Sequence, residues 1–241
     1  IVGKLGVVLF FVLSGFLITY LLLAEEEHTG SISVKNFYIR RVLRIWPLYY
    51  TLIFLGFFVF PHIDFLHVNL QGSDLTPVGI STNFFLYLFF LPNLANVLYG
   101  PVMYISQTWS IGVEEQFYLL WPVLMKKIKN RYLLLFGVIF LYLFTKFYGL
   151  HLIDMVLWKF GLIDISKTVL ATAVKFLYFF NIDCMAIGGI FAVMLYQKHK
   201  MLDWLYNKYL QVVVLAVLIV MLAFGVTVPY VHYEVYSIFF G

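Results

Sequence analysis

The sequence is short of charge and nearly empty of cysteine. Asp, Glu, Lys and Arg make up 12% of its 241 residues, against about 25% in an ordinary water-soluble domain. So few ionic side chains cannot cover a water-facing surface of this size. A soluble enzyme, a nucleic-acid-binding module and a disordered segment are excluded on that ground. The single cysteine, Cys184, rules out an intrachain disulfide and a cysteine-based metal site. No charged n-region with a cleavage site is visible, so no signal peptide is read. The chain opens on Ile1 and stops inside an apolar stretch after Tyr236. We expect a single transmembrane domain over residues 1–241, cut from a longer protein at both ends.

What the chain has instead is grease. Hydrophobic residues reach 63% and aromatics 20%, and the mean hydropathy is +0.94. A helix needs about 20 apolar residues to cross a bilayer core. Candidate segments are 5–24, 47–61, 81–96, 109–125, 132–150, 176–196 and 209–228. Their apolar runs are continuous, which fits helices and not alternating barrel strands. The expected fold is therefore all-α, a polytopic transmembrane helical bundle with six to seven apolar segments. Pro47, Pro61, Pro77, Pro92, Pro101 and Pro122 are read as span ends or kinks. No repeat or low-complexity segment interrupts the pattern.

The net charge is +4. Most of the basic residues fall in three clusters: Lys35, Arg40, Arg41 and Arg44; Lys126, Lys127, Lys129 and Arg131; Lys198, Lys200 and Lys208. Short basic loops face the cytoplasm, so residues 35–44, 126–131 and 198–208 are expected there, in a bacterial cytoplasmic membrane. Three apolar runs separate the first two clusters, and three crossings would put them on opposite sides. One run must fail to cross. Residues 81–96 are short, end in Leu91-Pro92-Asn93 and precede an uncharged Gly100-Pro101 loop. They are expected to be re-entrant or a broken helix packed inside protein, where irregular backbone survives at membrane depth.

Several polar residues stand out against this background. Glu114 sits at the head of an apolar helix, and a carboxylate inside a span costs roughly 2.5–3.5 kcal/mol on insertion scales. Helical spacing sets Ser110, Glu114, Phe117, Tyr118 and Trp121 on one face, a possible hydrogen-bonded pocket wall. The competing reading makes Glu114 and Glu115 first-turn acids that stabilise a helix N-terminus. Arg41 and Arg44 are three apart, sharing a face of a short interfacial helix, and suit phosphate groups. Read without further context, topology anchoring and lipid headgroup contact explain them better. Gly15 with Thr19, and Gly188 with Ala192, have the small-residue spacing of close helix packing. Ser14 is a nucleophile candidate without a base beside it in sequence. Asp183 is an intramembrane acid that either pairs with a cation or caps the following helix, a structural polar role. Lys146 and Lys175 are placed to snorkel. His28, His62, His67, His151, His199 and His232 lack metal spacing and are read as loop residues.

Three blocks together bring a family into view: GVVLFFVLSGFLI at 6–18, FYIRRVLRIWPLYY at 37–50 and WSIGVEEQFYLLWP at 109–122. In this order and spacing the chain resembles the acyltransferase-3 family of membrane O-acyltransferases. NIDCMAIGGIFA at 181–192 is similar to a later helix of that family. The resemblance implies transfer of an acyl group, often acetyl, from cytoplasmic acyl-CoA to a hydroxyl of a cell-surface or exported glycan. Acyl-CoA would be a co-substrate, with no permanently bound cofactor and no metal. The family's paired arginines match Arg41 and Arg44, which would hold the donor's phosphates. The glutamate of its Trp-Ser-x-x-x-Glu block matches Glu114, the catalytic carboxylate on this reading. Ser14, Trp109, Ser110 and Tyr118 become candidates for substrate binding. The family's catalytic histidine lies on a helix before the first block, and further helices follow the last. Asn181 stands where the family commonly has arginine. A lipid or glycan transporter and a non-catalytic membrane partner are the alternatives. The transporter reading lacks an inverted or parallel repeat to support it.

Overall fold

A computed structural model describes residues 2–63, 77–102, 104–161 and 163–223. Every regular element among them is helical. Helices α1 (Val2–Thr29), α2 (Val34–Phe54), α3 (Pro77–Leu88), α4 (Pro92–Tyr99) and α5 (Thr108–Lys127) form the first half. Helices α6 (Arg131–Phe144), α7 (Leu150–Lys159), α8 (Ile163–Phe180), α9 (Ile182–Tyr196), α10 (Met201–Leu205) and α11 (Lys208–Ala223) follow.

Four stretches of the described residues are long and apolar enough to cross a membrane: Leu5–Thr29, Val34–His62, Arg131–Lys159 and Thr168–Tyr196. The first starts where expected and runs five residues further, to Thr29; the other three also run past the expected bounds. The short interfacial helix expected around Arg41 and Arg44 does not exist as a separate element. Those residues lie inside α2, which continues through Pro47 into a π-turn over Leu55–Val59. Backbone hydrogen bonding is indifferent to side-chain polarity, and no breaker precedes Pro47. The helix therefore runs on past the basic turn. Likewise α6 continues through a π-turn at Thr145–Gly149 into α7. α5 is a helix but not among the four, because Glu114, Glu115 and Gln116 dilute its apolarity. Pro122 also lies inside its helix and does not end it. α11 has an apolar stretch at Lys208–Val217, and residues 224–228 of that expected span lie outside the described residues.

The chain divides into two compact units. One comprises Ile1–Ile32, Trp121–Phe144 and Asn181–Gly241; the other comprises Ser33–Leu120 and Thr145–Phe180. In the first, α1 packs along α9 and α9 along α6. The α1–α9 contact is as close as backbones allow. A Cβ on Gly15 would collide with the Met185 carbonyl, and one on Gly188 with the Val12 carbonyl. The packing role expected of these glycines is what the helices use. Thr19, expected only as a small packing residue, does more: its buried hydroxyl accepts a 3.0 Å bond from the Trp121 indole.

At the C-terminal end of α1, Glu26 accepts from Lys129 at 2.8 Å and pairs with Arg131. Arg131 also donates to the carbonyls of Met125 and Ile128, which the end of α5 leaves without intrahelical partners. Arg131, the last residue of the second basic cluster, is the first residue of α6 and is buried, a helix cap held by Glu26.

In the second unit, Tyr49, Ile53, Tyr87, Ala95 and Ile105 form a buried core. The 81–96 segment is interrupted: α3 ends at Leu88 and α4 begins at Pro92. Two carbonyls at the end of α3 are met by side chains of α2. Tyr49 donates to Tyr87 O at 2.8 Å and Tyr50 to Leu88 O at 3.1 Å. Such pairing is the condition for irregular backbone in an apolar setting.

Candidate functional site

The second unit brings together the two sequence blocks that carry most of the polar chemistry. Glu114 lies in the first half of α5 with 5% of its surface exposed. One turn on, the buried Tyr118 hydroxyl donates to Glu114 Oε1 at 3.2 Å. The spacing of four residues sets both on one helix face, as expected. The Arg41 guanidinium lies 5.3 Å from the centre of the Tyr118 ring and 5.5 Å from that of Phe37. Phe37 and Tyr118 meet edge to face at 6.2 Å. Two aromatic faces thus hold one cation by their quadrupoles. α2 is tied to α5 here by the Tyr38 hydroxyl, which donates to Leu119 O at 2.5 Å.

The other nominated residues distribute as follows. Arg44 is exposed one turn beyond the half-buried Arg41. Ser110 donates back to Gln107 O at 3.0 Å, closing the first turn of α5. Trp109 meets Phe179 of α8 edge-on at 5.2 Å. Phe117 is buried. Ser14, on α1, and Asp183, on α9, belong to the first unit. Asp183 is fully buried in the first turn of α9, where the helix dipole favours a negative charge. Asn181 stands immediately before that turn with φ of +24°, a positive value that asparagine tolerates better than most residues.

Sequence reasoning passed over Gln116 and read Glu115 only as a first-turn acid. Glu115 Oε2 accepts from the Trp46 indole at 3.4 Å, making a second link from α5 to α2. Gln116 donates to Phe90 O and to Asn93 Oδ1, both at 2.9 Å. A usable signal was present: Gly112 and Gln116 are four apart, so a bare helix surface and an amide share one face. The histidine expectation needs correction at three positions. His28 lies in the last turn of α1, His62 in a 3-10 turn over Phe60–His62 and His151 inside α7, all exposed. His67 and His232 lie outside the described residues. Among the described residues no group of three or more His, Cys, Asp or Glu is placed to hold a metal ion.

Comparison with known proteins places this arrangement in context. The whole chain, residues 1–241, matches the family described as acyltransferase domain. It is 38% identical over 140 residues to the peptidoglycan O-acetyltransferase OatA of Listeria monocytogenes, a match covering 55% of this chain and 22% of that protein. A putative O-acetyltransferase of Staphylococcus aureus (strain COL) is 33% identical over 145 residues, covering 54% and 22%. The putative peptidoglycan O-acetyltransferase YrhL of Bacillus subtilis is 31% identical over 123 residues, covering 50% and 19%. The matched part of the chain spans about a fifth of the length of these relatives. No solved structure matches. With the family match running the full length and the Arg41 and Glu114 blocks joined through Tyr118, the chain belongs to the acyltransferase-3 family.

Proposed function

We propose that the whole protein is a membrane O-acyltransferase that moves an acetyl group from acetyl-CoA at the cytoplasmic face to a hydroxyl of peptidoglycan. The observation that carries this reading is the buried Glu114 carboxylate, bonded to Tyr118, whose ring holds Arg41. The names of the relatives supply the acyl group and the acceptor class. In the reaction the acceptor oxygen forms a bond to the thioester carbonyl carbon, the carbon–sulfur bond breaks, and CoA leaves as the thiol. The base is the histidine that the family carries on a helix before the first block. Glu114 orients that imidazole and stabilises its charged form, as the acid of a triad does. Arg41 and Arg44 hold the donor's phosphates at the cytoplasmic end of α2. The exposed Arg44 meets the donor first, and Arg41 is held ready on its aromatic cradle. Trp109 and Ser110 line the path of the substrates on this reading, while Asp183 is structural. The interrupted α3–α4 segment re-enters without crossing, which puts the first two basic clusters on one side.

The decisive experiment replaces Glu114 with Gln in the full-length protein. Acetyl transfer to peptidoglycan should fall at least about a hundredfold while the amount of membrane-inserted protein is unchanged. Undiminished transfer would remove Glu114 from the mechanism. Movement of substrate without consumption of a thioester would instead identify a transporter.

A further inference from the structure

Phe90 stands in the break between α3 and α4 with φ of +57°, a left-handed conformation that bulky residues rarely adopt. Contacts on two sides hold it. Its carbonyl accepts the 2.9 Å bond from Gln116 Nε2 on α5. Its ring presses into α2, stacked 4.3 Å from Tyr49, tilted 5.3 Å from Trp46 and edge-on at 5.6 Å to Tyr50.

Gln116 is itself held in place. Its Nε2 also donates to Asn93 Oδ1 at 2.9 Å, and Asn93 Nδ2 returns a 3.3 Å bond to Gln116 Oε1. Asn93 is fully buried in the first turn of α4, so the two amides lock against each other. One turn earlier on α5, a Cβ on Gly112 would stand 2.6 Å from Pro92 Cδ and 3.1 Å from Phe90 O. α5 therefore grips the break at Gly112 and Gln116, and the break drives an aromatic wedge into α2. A strained backbone of this kind persists only where its surroundings over-determine it. The two helices it bridges carry Arg41 on one side and Glu114 with Tyr118 on the other.

We propose that Gln116 is a positioning residue of the site. Acting through Phe90, it sets α2 against α5 and so keeps the Arg41 guanidinium on the Tyr118 ring. Without the Gln116 bond the break relaxes to an ordinary conformation, the Phe90 ring withdraws, and Arg41 loses its register. The inference rests on the reading of Arg41 as a donor-binding group.

The test uses purified full-length protein, acetyl-CoA as the probe and steady-state thioester consumption as the readout. Gln116→Leu keeps the bulk and removes the donor. Phe90→Gly keeps the carbonyl and the left-handed backbone and removes the wedge. Each should raise KM for acetyl-CoA about tenfold while kcat changes less than about threefold. The double variant should be no worse than the worse single one, because both act through one contact. An unchanged KM in Gln116→Leu, with KM raised in Arg41→Ala, overturns the positioning role and leaves the donor reading standing. Loss of kcat alone, or penalties that simply add, also overturns it. If Arg41→Ala leaves KM unmoved, the donor reading fails first and the positioning role falls with it. Should Gln116→Leu not accumulate, Phe90→Gly reads the same route independently.

Discussion

The Tyr118 hydroxyl donates to Glu114 Oε1 across one turn of α5, at 3.2 Å. The same side chain offers its ring to Arg41, so one tyrosine does two separable things. Tyr118→Phe removes the hydrogen bond and keeps the ring. A single bond of this kind contributes about 1 kcal/mol net, and more to a charged partner. Acetyl transfer by the full-length variant should drop roughly five- to twentyfold in kcat with KM for acetyl-CoA unmoved. Tyr118→Leu removes the ring as well, and there KM should also rise. Steady-state kinetics on the pair separates the two roles.

Gly15 and Gly188 should tolerate nothing larger. At both positions the obstacle is the backbone of the facing helix, not the end of a flexible side chain. Gly15→Ala or Gly188→Ala must push α1 and α9 apart, at a cost of about 1–3 kcal/mol each for overpacking. Gly6→Ala has open space and should be neutral or slightly stabilising. Thermal unfolding in detergent, followed by loss of helical circular dichroism, will rank the three.

Thr19 should be replaceable by Ser but not by Val. Valine matches its shape and leaves the buried Trp121 indole N–H without its acceptor, a loss of about 1–3 kcal/mol. Serine keeps the oxygen. The expected order of melting temperatures is wild type, then Thr19→Ser, then Thr19→Val.

The two cations on Glu26 should differ sharply in value. Lys129 has 76% of its side chain exposed and Arg131 only 6%. An exposed ion pair is worth about 0–1 kcal/mol, whereas the Arg131 guanidinium is buried and each charge-assisted hydrogen bond it makes is worth about 1.5–3 kcal/mol. Arg131→Ala also strips the cap from the carbonyls of Met125 and Ile128. Its melting temperature should fall well below that of Lys129→Ala, and added salt should narrow only the smaller of the two deficits.

Apolar length, basic clusters and three motif blocks were enough to identify helices, a membrane setting and the family, because each is a local property of the chain. Helix α1 and the packing glycines could be read in advance for the same reason. Small residues four apart mark a helix face that a neighbour can approach. The pairing of Glu114 with Tyr118 was legible too, since both lie on one helix at a fixed angular offset. What could not be read were partners chosen across the chain. Thr19 and Trp121 are 102 residues apart, and Arg131 and Glu26 are 105 apart. Gln116 and Phe90 are separated by 26 residues and a helix break. No periodicity connects such residues. Their hydrogen bonds arise because an apolar interior offers no water, so each buried polar group takes whichever partner the packed helices bring within 3 Å or so. Hence hydropathy and motif settle what kind of protein this is, while the packing of α2 against α5 decides that Arg41 comes to rest on the ring of the tyrosine bonded to Glu114.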